Sequence, residues 1–205
     1  IKERSLITDN TIMFIPYQKE KIENAILFFA LEYRKKIRQN INQMKLYKSL
    51  AFLDFETMEE YGQPSLCLTY KAMKMGPVPK EIYIDKEYRE TDAYYFEEFK
   101  DKNNTVEIIV KKNKKPDLDY FSDYEIEKMY HIAEIYYDKS VSTSDISDAT
   151  HERIKAWKRR FNIKENDIIS YDEDIFTEIA NKKEEDFTPA EERYFMLKAF
   201  EEIKK

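Results

Sequence analysis

A chain of 205 residues with only two glycines, Gly62 and Gly76, has few routes into left-handed backbone. Tight two-residue hairpins depend on such positions, so many of them are excluded here. The expected fold is mainly α, an α+β arrangement in which a compact helical domain carries a small antiparallel β element. Hydrophobic residues at 42% and aromatics at 15% are enough for a sizeable core, and the 37% charged residues are spread along the chain, which argues against disorder. No internal repeat or low-complexity linker divides the sequence. The expected organisation is an N-terminal extension over 1–16, a helical domain over 17–161, and an acidic helical extension over 162–205 packed on the same domain.

Hydrophobic period and caps place the elements. Ile22, Ile26, Phe29, Ala30, Tyr33 and Ile37 recur at helical spacing within 17–40, and Met44, Tyr47, Leu50, Ala51, Phe55 and Met58 do so within 42–60. Gly62 and Pro64 stop the second helix. Residues 66–73 are short, apolar and partly alternating, which predicts a strand or extended segment. Gly76-Pro77-Val78-Pro79 predicts a rigid extended turn ending in a helix start, because each proline moves its predecessor out of the α region. Residues 79–100 are expected to be helical in two pieces. Thr105–Val110 is β-branched and bounded by turn residues, so it is the best strand, expected to pair with an extended neighbour. Ser122-Asp123-Tyr124-Glu125 is a capping box, and Ser142-Thr143-Ser144-Asp145 is an acidic relative of it opening a helix that ends near Ala149. Thr150 is then expected to cap a helix from His151 to Phe161, with Ile154, Trp157 and Phe161 inward. Short helical pieces alternate with acidic loops over 163–187, and Thr188-Pro189-Ala190-Glu191 starts a last helix that carries Tyr194, Leu197 and Phe200, with Ala199 beside them.

Charge and cysteine usage bear on the compartment. Cys67 is the only cysteine, so no intramolecular disulfide is available, which fits a reducing cytoplasm. No apolar run approaches the ~20 residues that cross a bilayer, so no membrane contact is expected. The start Ile1-Lys2-Glu3-Arg4 lacks both Met and an apolar signal core and reads as a trimmed or processed terminus. Net charge is −6, and residues 117–205 hold 23 acidic against 14 basic side chains. That bias disfavours nonspecific nucleic-acid binding and favours basic partners.

Candidate chemistry is sparse. His131 and His151 are too few for the usual zinc sites, and Glu127 with His131 lacks a second ligand pair. His151, expected at a helix start where the macrodipole disfavours its protonated form, is read as a neutral ring that hydrogen-bonds a loop carbonyl, a structural rather than a catalytic role. Cys67 between two leucines reads as a small buried apolar residue. No nucleophile elbow, phosphate-binding loop or calcium loop is present, so no cofactor and no catalytic constellation are expected. Lys155, Lys158, Arg159 and Arg160 surround Trp157 and form a possible nucleic-acid patch. The favoured alternative puts Trp157 in the core and leaves the charges solvated or paired with the acidic last third.

Two segments, taken together, carry a family resemblance. The first is Leu46-Tyr47-Lys48-Ser49-Leu50 with Phe52-Leu53-Asp54, then Tyr70-Lys71-Ala72 and Met75-Gly76-Pro77-Val78-Pro79. The second is Phe121-Ser122, then Ser142–Asp148, Thr150-His151 and Trp157. Their order resembles the Panacea domain of SocA-like antitoxins and related phage-associated proteins. The resemblance implies a mainly helical fold and a prokaryotic antitoxin that neutralises a cognate toxin encoded beside it by direct protein–protein binding. It makes Gly76, Pro77, Val78, Pro79, His151 and Trp157 the interaction candidates. Alternatives are a proteolytic adaptor of the same fold, or a nucleic-acid-binding regulator using the Trp157 helix.

Overall fold

The computed structural model describes residues 15–100 and 104–203, so most of the expected extension over 1–16 lies outside them. Helices α1 (Gln18–Ile37) and α2 (Gln43–Tyr61) form the centre. Asn42 caps α2 by accepting from the Lys45 amide at 2.8 Å, and Gly62 ends it in left-handed backbone at φ 75°. The apolar stripes understate how deeply both helices are buried. Lys45, Lys48, Ser49, Asp54 and Thr57 of α2 are as enclosed as its leucines, because α1, α5, α6, α9 and a hairpin surround it.

The hairpin joins β1 (Tyr70–Met73) to β2 (Gly76–Pro79), with Ala72 opposite Pro77 and Met73 opposite Gly76. The Gly-Pro-Val-Pro segment, expected as an extended turn, is thus a fully buried strand that does lead into a helix. Prolines are tolerated in it because β2 is an edge strand. The outer edge of β1 is sealed by residues 166–169, whose Asn166 amide donates to the Ala72 carbonyl at 2.8 Å and whose Ile169 amide donates to the Tyr70 carbonyl at 2.9 Å.

Residues 79–100 depart from expectation. Only α3 (Lys80–Ile84) and α4 (Lys86–Arg89) are helical, and Tyr94–Glu98 is strand β3. β3 pairs antiparallel with β4 (Val106–Val110), Phe96 facing Ile108, so the best strand pairs with a segment expected to be helix and forms a separate sheet. The aromatic run Tyr94-Tyr95-Phe96 suits a pleated surface at least as well as a helix. Its tertiary partner decides the matter.

Helix α5 (Asp123–Tyr136) opens with the complete Ser122–Glu125 capping box, and Glu125 also accepts from Ser65 Oγ at 2.6 Å and pairs with buried Lys21. The Ser142–Asp145 box starts α6 (Thr143–Arg153), which continues past Ala149 to Ile154 before α7 (Lys155–Ile163) begins. Thr150 is therefore no cap. Its hydroxyl donates back to the Ile146 carbonyl at 2.6 Å, inside the helix. Beyond α8 (Tyr171–Asp174) and two 3-10 turns, α9 (Pro189–Ile203) is capped reciprocally by Thr188 and Glu191. Ala190 and Tyr194 pack with Met58 and Phe176, and Gly62 lies so close to Ala190 that a Cβ there would overlap the Ala190 carbonyl oxygen.

Candidate functional site

The motif residues converge on the β1–β2 hairpin. The turn Lys74-Met75 is exposed at its tip, while everything behind it is held. From below, the fully buried Lys48 ammonium of α2 donates to the Met75 carbonyl. From the side, the indole N–H of Trp157 on α7 donates to the Met73 carbonyl at 2.9 Å. Gly76 follows at φ 107°, a conformation side chains resist, and a Cβ there would fall on Lys48 Nζ. Glycine at 76 therefore leaves the space that the Lys48 ammonium occupies.

Among the described residues Lys48 has no carboxylate partner. Burial pulls its ammonium far below the ordinary lysine value, to about 7. His151 lies in the last turn of α6, not at a helix start, so the expected dipole argument does not apply. Burial, followed by the Lys48 charge, holds it below the usual histidine value. Its ring stacks flat on Trp157 at 4.0 Å between centroids, Trp157 stacks on Phe161, and the buried His151 Nε2 has no hydrogen-bond partner among the described residues. The expected bond from this ring to a loop carbonyl belongs instead to Trp157.

A second buried charge shapes the chain just before β1. Asp54 accepts from the amides of Leu66, Cys67 and Leu68 and from the Tyr70 hydroxyl at 2.5–3.2 Å. Burial pushes this carboxyl up to about 6 in spite of those four donors. They wrap residues 66–68 around the carboxylate, with Cys67 in left-handed backbone at φ 53°. Cys67 is partly rather than fully buried.

Of the basic cluster, Trp157 is in the core. Arg160 reaches Asp174 at 2.9 Å and Glu173 at 2.7 Å, in the acidic last third. Lys155, Lys158 and Arg159 are exposed and make no ion pair among the described residues. The patch therefore keeps three cations on one helix and loses both its aromatic and its fourth charge. Gly76, Pro77, Val78, Pro79, His151 and Trp157 do come together, whereas Lys48 was quoted from sequence without a role and the two hairpin carbonyls were not singled out. The available signal was that Lys48 and Asp54 interrupt the apolar stripe of α2, between Met44 and Ala51 and between Ala51 and Met58.

Among the described residues no group of His, Cys, Asp and Glu is arranged to hold a metal ion, and no helix is long and apolar enough to cross a membrane. The arrangement is a hairpin braced from two sides with its tip presented to solvent. No curated protein and no solved structure matches the chain. The family model described as antitoxin SocA-like, Panacea domain, matches residues 46–158, which run from the start of the Lys48 motif to just beyond Trp157. The chain belongs to the SocA-like, Panacea-domain antitoxin family.

Proposed function

We propose that this protein is an antitoxin that neutralises a cognate toxin by direct binding, in the cytoplasm of a prokaryote, as one half of a toxin–antitoxin pair. Family membership carries this reading. The site is compatible with it in a specific way. The family's motif residues are spent on fixing a hairpin whose Lys74-Met75 tip faces outward, and a rigid exposed element lowers the ordering cost of binding a protein. No catalytic step is assigned to it. The nucleic-acid alternative is weakened by Trp157 lying in the core and Arg160 being paired.

The test is growth rescue. The product of the adjacent open reading frame, induced alone, is expected to arrest growth. Co-expression of this chain is expected to restore growth and to yield a complex that co-purifies while the toxin level stays constant. Rescue accompanied by loss of the toxin would favour the proteolytic adaptor, and absence of rescue would overturn the antitoxin reading.

A further inference from the structure

Both carbonyls that flank the exposed tip are gripped from a single cluster of side chains. Lys48 Nζ holds the Met75 carbonyl, and the Trp157 indole holds the Met73 carbonyl. The indole in turn stacks on His151 and on Phe161. The cluster thus contains two bases, Lys48 and His151.

The charges that act on His151 come from few places. α6 packs against α2, β2 and α7. α2 brings Lys48 towards the ring, while its Lys45 donates to the Val141 carbonyl and its Glu56 pairs with Arg153 and Lys128. β2 is Gly-Pro-Val-Pro and has nothing to titrate. α7 turns Trp157 to the ring, holds Arg160 on Glu173 and Asp174, and leaves Lys155, Lys158 and Arg159 exposed. On α6 itself, Asp148 acts on the ring from one turn back, and it is exposed.

A neutral His151 leaves one buried nitrogen, Nε2, without a partner among the described residues. An imidazolium would put a charged N–H there with no acceptor, a larger penalty, beside a second charge on Lys48. Asp148, the C-terminal end of the α6 dipole and the face of the indole all favour the proton. They are outweighed: burial first, and the Lys48 charge second, hold His151 below the usual histidine value. The ring is only partly buried, so water can still deliver a proton to it.

We propose that Lys48, His151 and Trp157 form a proton-operated latch on the hairpin tip. The pocket tolerates one positive charge, on Lys48, with the tip fixed. A second proton, on His151, breaks the stack, withdraws the indole from Met73 and frees the tip. Opening gives His151 the water that the closed form denies it, so the open form takes the proton first. The latch is therefore at full strength above the ordinary histidine value and weakens as pH falls below it. As a control on toxin binding this rests on the antitoxin reading; as a property of the tip it does not.

Trp157 is the only tryptophan, so its emission reports the latch directly. The full chain is titrated from about pH 8 to 5, the range in which histidine changes charge, in wild-type form, as His151→Phe and as Lys48→Met. Wild-type emission is expected to shift to the red as the indole meets water, with a midpoint below the ordinary histidine value. Helical circular dichroism should stay constant, and amide protection should fall in the hairpin but not in α1. His151→Phe keeps a ring in the stack and is expected to lose the shift. Lys48→Met removes the competing charge and is expected to move the midpoint up. Asp54, which titrates at about 6 near the other end of β1, is present in all three proteins and cannot produce these differences. Absence of the wild-type shift, its persistence in His151→Phe, an unmoved midpoint in Lys48→Met, or a shift that accompanies loss of helix would each overturn the latch. Toxin affinity should fall with acid in wild type, by about 10-fold when a tenth of the tips remain latched, and hold steady in His151→Phe. An equal fall in both would overturn the control over binding. A chain that binds no toxin at either pH removes the antitoxin reading and leaves the latch, which is read without a partner.

Discussion

The indole N–H of Trp157 donates to the carbonyl of Met73, 84 residues upstream, at 2.9 Å, so α7 holds the end of β1 in place. Trp157→Phe keeps an aromatic ring on the His151 stack and removes the donor. It is expected to destabilise the protein by about 1–2 kcal/mol, the penalty of a buried carbonyl left without a partner. Amide hydrogen exchange across the hairpin should rise more than in α1. Equal protection in variant and wild type would show that the hairpin is fixed by Lys48 alone.

Lys48 makes stability depend on pH in the alkaline range. Its folded value of about 7 lies below the ordinary 10.5. Between those two values the unfolded chain holds a proton that the folded chain has lost, so this group's contribution makes stability rise with pH across the window and level off below it. The rise amounts to as much as about 4 kcal/mol at ~1.4 kcal/mol per unit. Lys48→Met should abolish it and be at least as stable as wild type near neutral pH. Urea midpoints from about pH 6 to 10.5 check this, and parallel curves for the two proteins would refute it.

Gly62→Ala sets a Cβ on the Ala190 carbonyl oxygen at a position already in left-handed backbone. Because the obstructing atom is backbone, α9 must move. A loss of about 2 kcal/mol or more is expected, together with faster proteolysis near Thr188. Cleavage rates equal to wild type would mean that α9 holds its place by other contacts.

Arg160 and its neighbours should separate cleanly. Asp174 is almost fully enclosed, and Arg160 is its ion-pair partner. Arg160→Ala is expected to cost about 3 kcal/mol by stranding that carboxylate. Lys158→Ala and Arg159→Ala, both exposed, should stay within about 0.5 kcal/mol and leave toxin rescue unchanged. A loss of rescue in the last two variants would restore a binding role to the patch.

What could be read from the chain follows how local each signal is. The boxes at Ser122 and Ser142 are complete within four residues, and both form. Thr150 looks like a third cap in isolation, yet its hydroxyl bonds Ile146 because α6 has tertiary support to continue. Tyr94-Tyr95-Phe96 becomes a strand only through Ile108 and its neighbours, a pairing no local pattern encodes. At the site, the Gly76 and Trp157 motifs were visible as types in order. Their meaning was not, since it lies in two carbonyls and in a lysine that the solvent never reaches.

The strip formed by residues 166–169 lies beyond the family-matched segment and still completes the hairpin sheet. The evolutionary unit and the folding unit therefore have different borders. A fragment cut at 158 would lay bare the hydrogen-bonding groups of Tyr70 and Ala72 along a flat strand margin, an invitation to intermolecular strand addition and aggregation. Transplanting this domain onto another scaffold would have to carry the strip along.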